Sequence, residues 1–173
     1  MVRSYRYLEF VFTQSGEIST GLNDLRDRAL KGFMKIKNDL GLSFNQDIHV
    51  TLSLIDFLIK PILLYSSDFW GGLKLPRNNP IENLHMMMLK QLLGVQKQTT
   101  NIGVLLELGR TPLNLSAIKF TVKNWERIRI GKGNELLLGS YSDGEFSWDA
   151  NIKLILESNG MQNLYNWIIS CSV

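Results

Sequence analysis

Cysteine is almost missing from this 173-residue chain, Cys171 being the only one. One cysteine closes no internal disulfide and supplies no cysteine zinc cluster, which excludes the secreted, disulfide-stapled class and the zinc fingers together. An intracellular setting, nucleus or cytoplasm, is therefore expected. Long apolar runs are scarce as well. The greasiest stretch, Leu52 to Tyr65, is interrupted by Asp56, Lys60 and Pro61, and no basic stretch leads into an apolar core. Neither a membrane span nor a signal peptide is expected. No Asp-Asp pair occurs anywhere, and there is no Gly-x-x-x-x-Gly-Lys loop or Gly-x-Ser-x-Gly elbow. Two-metal phosphoryl transfer, nucleotide cradling and nucleophile-elbow chemistry all lack their residues. The two histidines, His49 and His85, stand apart, with no partner at metal-ligand spacing, and read as structural or solvent-facing.

What is present suits a folded chain. At 45% hydrophobic and 20% charged residues, the composition is globular, and the length is that of one domain able to bury a core. The net charge of +3 conceals an asymmetry. Residues up to Lys132 hold 18 of the 19 Lys and Arg and 11 of the 16 Asp and Glu, so that part is +7 and the remainder −4. A basic body with an acidic tail suits a polyanionic partner, and it equally suits an ordinary solvated surface.

Ser4 to Phe12 reads as a strand, with Tyr5, Tyr7 and Val11 on one face and Arg6, Leu8, Phe10 and Phe12 on the other. Thr13 to Glu17 is turn chemistry. From Ser19 to Leu40 apolar residues recur every three or four positions, at Leu22, Leu25, Ala29, Phe33, Ile36 and Leu40, which predicts a helix with Arg26, Arg28, Lys31 and Lys35 on its other sides. A second helix is expected from about Asn45 to Tyr65, central to the fold, with Pro61 placed to kink or break it. Ser66 to Asn79 reads as a loop. Asn79 caps the next helix, with Pro80 in its first turn and Gly94 at its end. Thr99 to Asn101 caps a short helix ended by Gly109. Thr111-Pro112 opens a longer one, whose stripe is Leu115, Ile118, Val122, Trp125 and Ile128 and whose cations include Lys119, Lys123 and Arg127. Asn134 to Leu138 reads as a helical turn, Ser140 to Glu145 as loop, and Trp148 to Glu157 as a helix stopped near Gly160. The fold class expected is mainly α, a helical bundle with a short N-terminal β-strand or hairpin. Trp70, Trp125, Trp148 and Tyr65 are able to stack on bases, but their helical spacing favours the core, and Met86-Met87-Met88 reads as adaptable packing.

The order of these segments resembles one family, the reverse transcriptases of LINE-like non-LTR retrotransposons, from the end of the palm through the thumb into the C-terminal region. Tyr5-Arg6-Tyr7-Leu8-Glu9-Phe10-Val11-Phe12 is similar to the aromatic-Leu-Gly strand that helps hold the primer terminus. Ser15-Gly16, followed by a helix containing Arg28-Ala29-Leu30-Lys31, is similar to the start of the thumb. Lys60-Pro61-Ile62-Leu63-Leu64-Tyr65 with Trp70-Gly71, then Pro80-Ile81-Glu82 leading to Leu92-Leu93-Gly94-Val95, then Glu107-Leu108-Gly109-Arg110-Thr111-Pro112-Leu113, follow the family in order and approximate spacing. The similarity covers about Tyr5 to Leu138.

The resemblance implies a division into a palm-end strand and turn (1–18), a helical thumb and C-terminal region (19–138) and an acidic helical tail (139–173). It makes Tyr7, Leu8 and Glu9 primer-grip-like, and Glu9 stands where the family motif carries glycine. Phosphate contacts are expected from Arg26, Arg28, Lys31 and Lys35 and, separately, from Lys119, Lys123 and Arg127. The partner implied is an RNA or DNA template-primer, together with the fingers and palm of a polymerase. Those parts, with their Tyr/Phe-Ala-Asp-Asp strand, are expected upstream of residue 1. Magnesium belongs to that palm, so no cofactor, metal site or catalytic residue is expected in this chain, which by itself should not polymerise. Two readings follow: a non-catalytic nucleic-acid-contacting module, or a vestigial helical protein-interaction domain.

Overall fold

A computed structural model describes residues 4–7, 9–15, 17–39, 48–73, 75, 79–132 and 147–171. The chain is mainly α with one N-terminal antiparallel hairpin, as expected. Its residues group into two compact units: 1–66 with 76–113, and 67–75 with 114–173.

The first unit opens with strands β1 (Ser4–Tyr7) and β2 (Phe10–Thr13), paired in the register Ser4 to Thr13, Tyr5 to Phe12, Arg6 to Val11 and Tyr7 to Phe10. The single strand expected over Ser4 to Phe12 is thus folded in two. The reversal changes which residues share a face, because directly opposed residues of a hairpin point the same way. Tyr5, Tyr7, Phe10 and Phe12 therefore lie together, with Tyr5 stacked on Phe12 at 6.1 Å and Phe10 edge-on to Phe12 at 5.1 Å. Only Phe10 of the four is fully buried. It rests on helix α1 (Ser19–Asp39) at Gly21, where a Cβ would run into its ring and stand 2.8 Å from the Val11 carbonyl. Glycine in this helix is therefore a packing requirement, for which the chain forgoes about 1 kcal/mol of helix propensity.

Helix α1 buries Leu22, Leu25, Ala29 and Phe33 of the expected stripe, while Ile36 is half-buried and Leu40 lies outside the described residues. It touches β2, the segment around Pro61 and a later helix, α5 (Pro80–Leu92). The segment around Pro61 is helix α2 (Ile48–Leu54), a π-helical stretch (Ile55–Ile59) and helix α3 (Lys60–Leu63); the expected start at Asn45 lies outside the described residues. Pro61 neither breaks nor simply kinks the run. Proline has no N–H and crowds the carbonyl four residues back, and one turn of wider π geometry absorbs both defects. The run is also less enclosed than expected, with Ile48, Val50, Phe57 and Leu58 exposed.

The most enclosed helix is α5, which buries Ile81, Leu84, Met86, Met88 and Leu89 together with Glu82 and His85. Asn79 caps it as expected, its side chain accepting from the Ile81 and Glu82 amides at 3.1 and 3.0 Å. Gly94 ends it at φ 65°, with the Val95 amide returning to the Lys90 carbonyl at 3.1 Å. Helix α6 (Asn101–Glu107) starts after Thr100, whose side chain makes no capping bond, and ends at Gly109, φ 60°. Leu52, Met86, Leu89, Val104 and Leu105 form one core cluster of this unit.

In the second unit the expected loop after Ser66 contains a helical turn, α4 (Ser67–Trp70); Lys74 and 76–78 lie outside the described residues. Helix α7 (Leu113–Arg127) continues into a second π-helical stretch (Ile128–Lys132). Its buried stripe within this unit is Ala117, Thr121, Trp125 and Ile128, and Leu115, expected inward, is exposed. The cause is close contact with α4. A Cβ on Gly71 would stand 2.6 Å from the Ala117 carbonyl and from Thr121 Oγ1, and the Thr121 hydroxyl donates to the Ser67 carbonyl at 2.7 Å. Small and polar residues make that approach, and a search for large apolar side chains passes over them. Helices α8 (Ser147–Ser158) and α9 (Gln162–Cys171) complete the unit. Ile152, Leu156 and Ile168 pack with Trp125, whose ring stacks on Tyr165 at 5.5 Å and 10°. The turn expected over Asn134 to Leu138 and the loop over Ser140 to Glu145 lie outside the described residues.

Candidate nucleic-acid interface

The cations of α1 fall on two sides of the helix. At 100° per residue Arg28, Lys31 and Lys35 share one side, and Arg26 points away from them. Lys31 and Lys35 are exposed and have no ion-pair partner among the described residues. Arg28 is engaged within the fold: Nη2 donates to the Glu9 carbonyl at 2.6 Å, Nη1 to the Glu9 carboxylate at 3.1 Å, and Nε faces Asp24 Oδ2 at 3.1 Å. The last two atoms meet off the hydrogen-bonding direction, so theirs is an ion contact only. Arg6 closes the group, 3.0 Å from Asp24 and 3.4 Å from Glu9. Two arginines and two carboxylates make a neutral cluster that holds the hairpin turn against α1.

Of the primer-grip-like residues, Tyr7 is exposed, Leu8 lies outside the described residues, and Glu9 takes a left-handed backbone, φ 67°. A non-glycine residue there costs about 1–2 kcal/mol. The Glu9 side chain, bound to Arg6 and Arg28, is not a free anion at the turn.

Arg26 chelates Asp27 through Nε and Nη2 at 2.9 and 2.7 Å. It also lines an open groove of about 870 Å³ that includes residues of α1 and α5. Sequence reading passed over the two other cations of this groove, Lys90 and Lys97, which lie at the end of α5 and in the loop beyond. Lys90 Nζ donates to the Lys97 carbonyl at 2.9 Å, drawing the pair together. Among the described lining residues these three are the only charged ones, and Leu30, Leu84, Met86 and Met87 supply apolar walls. The signal for them was available as a basic residue at the helix C-terminus followed seven positions later by another, but isolated lysines carry no weight without tertiary placement.

In the second unit Lys119, Lys123 and Arg127 recur every four residues on α7, all exposed and without ion-pair partners among the described residues. At 1.5 Å rise per residue they form a row with steps of about 6 Å. The aromatics are placed otherwise. Trp70 and Trp125 are wholly buried, so neither offers a face to a base; Tyr65 is at the surface, and the Trp148 side chain lies outside the described residues.

Among the described residues no three of His, Cys, Asp and Glu gather as metal ligands. No described helix is long and apolar enough to cross a membrane. Comparison with protein-family models, curated proteins and solved structures finds no match for this chain.

Proposed function

We propose that the chain is a non-catalytic module that grips the sugar-phosphate backbone of a template-primer, as the thumb and C-terminal region of a LINE-like reverse transcriptase would. The observation that carries this reading is the α1–α5 groove, whose charged lining among the described residues is wholly cationic: Arg26, Lys90 and Lys97. Such a surface attracts phosphates without reading bases. The exposed row on α7 has the same character. The left-handed backbone at Glu9 supports the resemblance, because the related motif carries glycine there and glycine takes that conformation freely.

Binding to a short RNA–DNA duplex, followed by fluorescence anisotropy across a salt series, tests the reading. The triple variant R26Q/K90Q/K97Q should bind more weakly, with a log–log salt slope shallower by about one to two units, at ~0.7–0.9 for each phosphate no longer neutralised by Lys90 and Lys97, Arg26 being already paired with Asp27. Unchanged affinity and slope in a folded triple variant would sink the groove assignment. The second reading, a vestigial protein-interaction domain, draws on apolar side chains left in solvent, notably Phe57, Ile102 and Leu106 at 79%, 72% and 75% exposure. It is favoured if the unmutated chain fails to bind the duplex at low salt.

A further inference from the structure

Away from the groove, the first unit contains a small polar cavity of about 160 Å³ whose lining includes Asp56, Lys60, His85, Arg110 and Thr111. These come from the π-helical stretch, the start of α3, α5 and the loop that follows α6. Asp56 is held by Arg110 at 2.5 Å and lies 4.0 Å from Lys60 Nζ. One carboxylate against two cations leaves the wall with a positive excess. His85 is 5% exposed, and its Nδ1 has no hydrogen-bond partner. A buried polar atom left unpaired in a polar cavity calls for a partner, a water or an ion.

Burial and then the Lys60 charge depress the His85 pKa to about 4, with Arg110 adding in the same sense and Asp56 opposing. At neutral pH the imidazole is therefore uncharged and donates through one nitrogen. The space is about five times the ~30 Å³ that a water occupies in the liquid, and below the ~300 Å³ at which pockets for drug-sized ligands begin. It admits one small polyatomic ion and no nucleoside. Ammonium, guanidinium, imidazole and hydroxyl groups supply donors from three separate segments, an arrangement suited to a tetrahedral acceptor with oxygens on every side.

We propose that this cavity is an oxyanion site that takes a single phosphate group, with Lys60 and Arg110 as its cationic contacts, Thr111 as a neutral donor and His85 as a second one in its Nδ1–H tautomer. The site stands independently of the groove. Asp56 is a positioning residue: by fixing Arg110 it orients the guanidinium.

Histidine NMR on the full chain tests this, because His49 is the only other imidazole and serves as an internal reference. At constant ionic strength, added inorganic phosphate should shift the His85 resonances saturably and raise the His85 pKa, leaving His49 unmoved. Lys60→Gln leaves both partners of the Asp56–Arg110 pair in the chain and should weaken the response by about tenfold, the equivalent of one charge-assisted hydrogen bond; Arg110→Gln should abolish it. A short oligonucleotide without terminal phosphates separates the two sources of the group. A His85 response to it as well identifies a backbone phosphodiester, a response to inorganic phosphate alone identifies a free anion, and either upholds the site. No saturable His85 response to either, or an equal response from His49, overturns it, as does an undiminished response in Lys60→Gln.

Discussion

Arg28 shows how a residue that aligns with surface cations takes on a structural role. Its spacing from Lys31 and Lys35 places it in a row, but its guanidinium reaches the Glu9 carbonyl at 2.6 Å and faces two carboxylates. Lys31 has no such partner among the described residues. Arg28→Gln should therefore destabilise the chain by about 1–2 kcal/mol, the worth of a charge-assisted bond to a backbone carbonyl, whereas Lys31→Gln should stay within about 0.5 kcal/mol. Urea denaturation of the two variants measures the difference, and equal midpoints would place Arg28 with the solvated cations. His85 gives the pH dependence. Its folded pKa of about 4 lies below the ordinary 6.5, so between those values the unfolded chain binds more protons. Stability is fully present above about pH 6.5 and declines as pH falls toward 4, by roughly 3 kcal/mol at about 1.4 kcal/mol per unit. Melting temperatures recorded across that window should fall more steeply for the unmutated chain than for His85→Gln.

At the scale of the element, the helices were legible wherever the chain supplies both a period and a stop: α1 from its apolar stripe, α5 from Asn79-Pro80 and Gly94, and the end of α6 from Gly109. Where two turn geometries compete, local pattern was insufficient. Alternation over Ser4 to Phe12 is equally consistent with one strand or with two joined by a turn, and the observed hairpin packs Phe10 on Gly21. Two four-residue strands with one buried ring are weakly held, because an isolated hairpin is marginal in water and edge amides stay exposed. Amide exchange should therefore be faster at Tyr5 to Tyr7 than through Ile81 to Leu89 of α5, by about 2 kcal/mol or more in opening free energy. Equal protection of the two segments would mean that the hairpin is anchored as firmly as the core.

Across the whole molecule the charge asymmetry resolves into particular surfaces. The Arg6–Glu9–Asp24–Arg28 cluster is neutral and holds none of the positive excess, part of which lines the α1–α5 groove and part of which stands on α7. If the exposed α7 row meets phosphates, K119Q/K123Q/R127Q should lower the salt slope of duplex binding by about two to three units with little change in the melting temperature, since none of the three is paired among the described residues. A slope equal to that of the unmutated chain would leave the row as solvated surface. The helical class, the caps of α5, the helix-ending glycines and the location of the positive charge were determined by the sequence alone, since each depends on spacing, backbone preference or count within a few neighbouring residues. Tertiary structure alone decided the rest: which cations are already matched by carboxylates, that Lys90 and Lys97 join Arg26, that Ala117 and Thr121 face inward, and that His85, Lys60 and Arg110 surround one cavity. Those outcomes depend on distances between residues up to tens of positions apart, and such distances are set by how the helices pack rather than by any local periodicity.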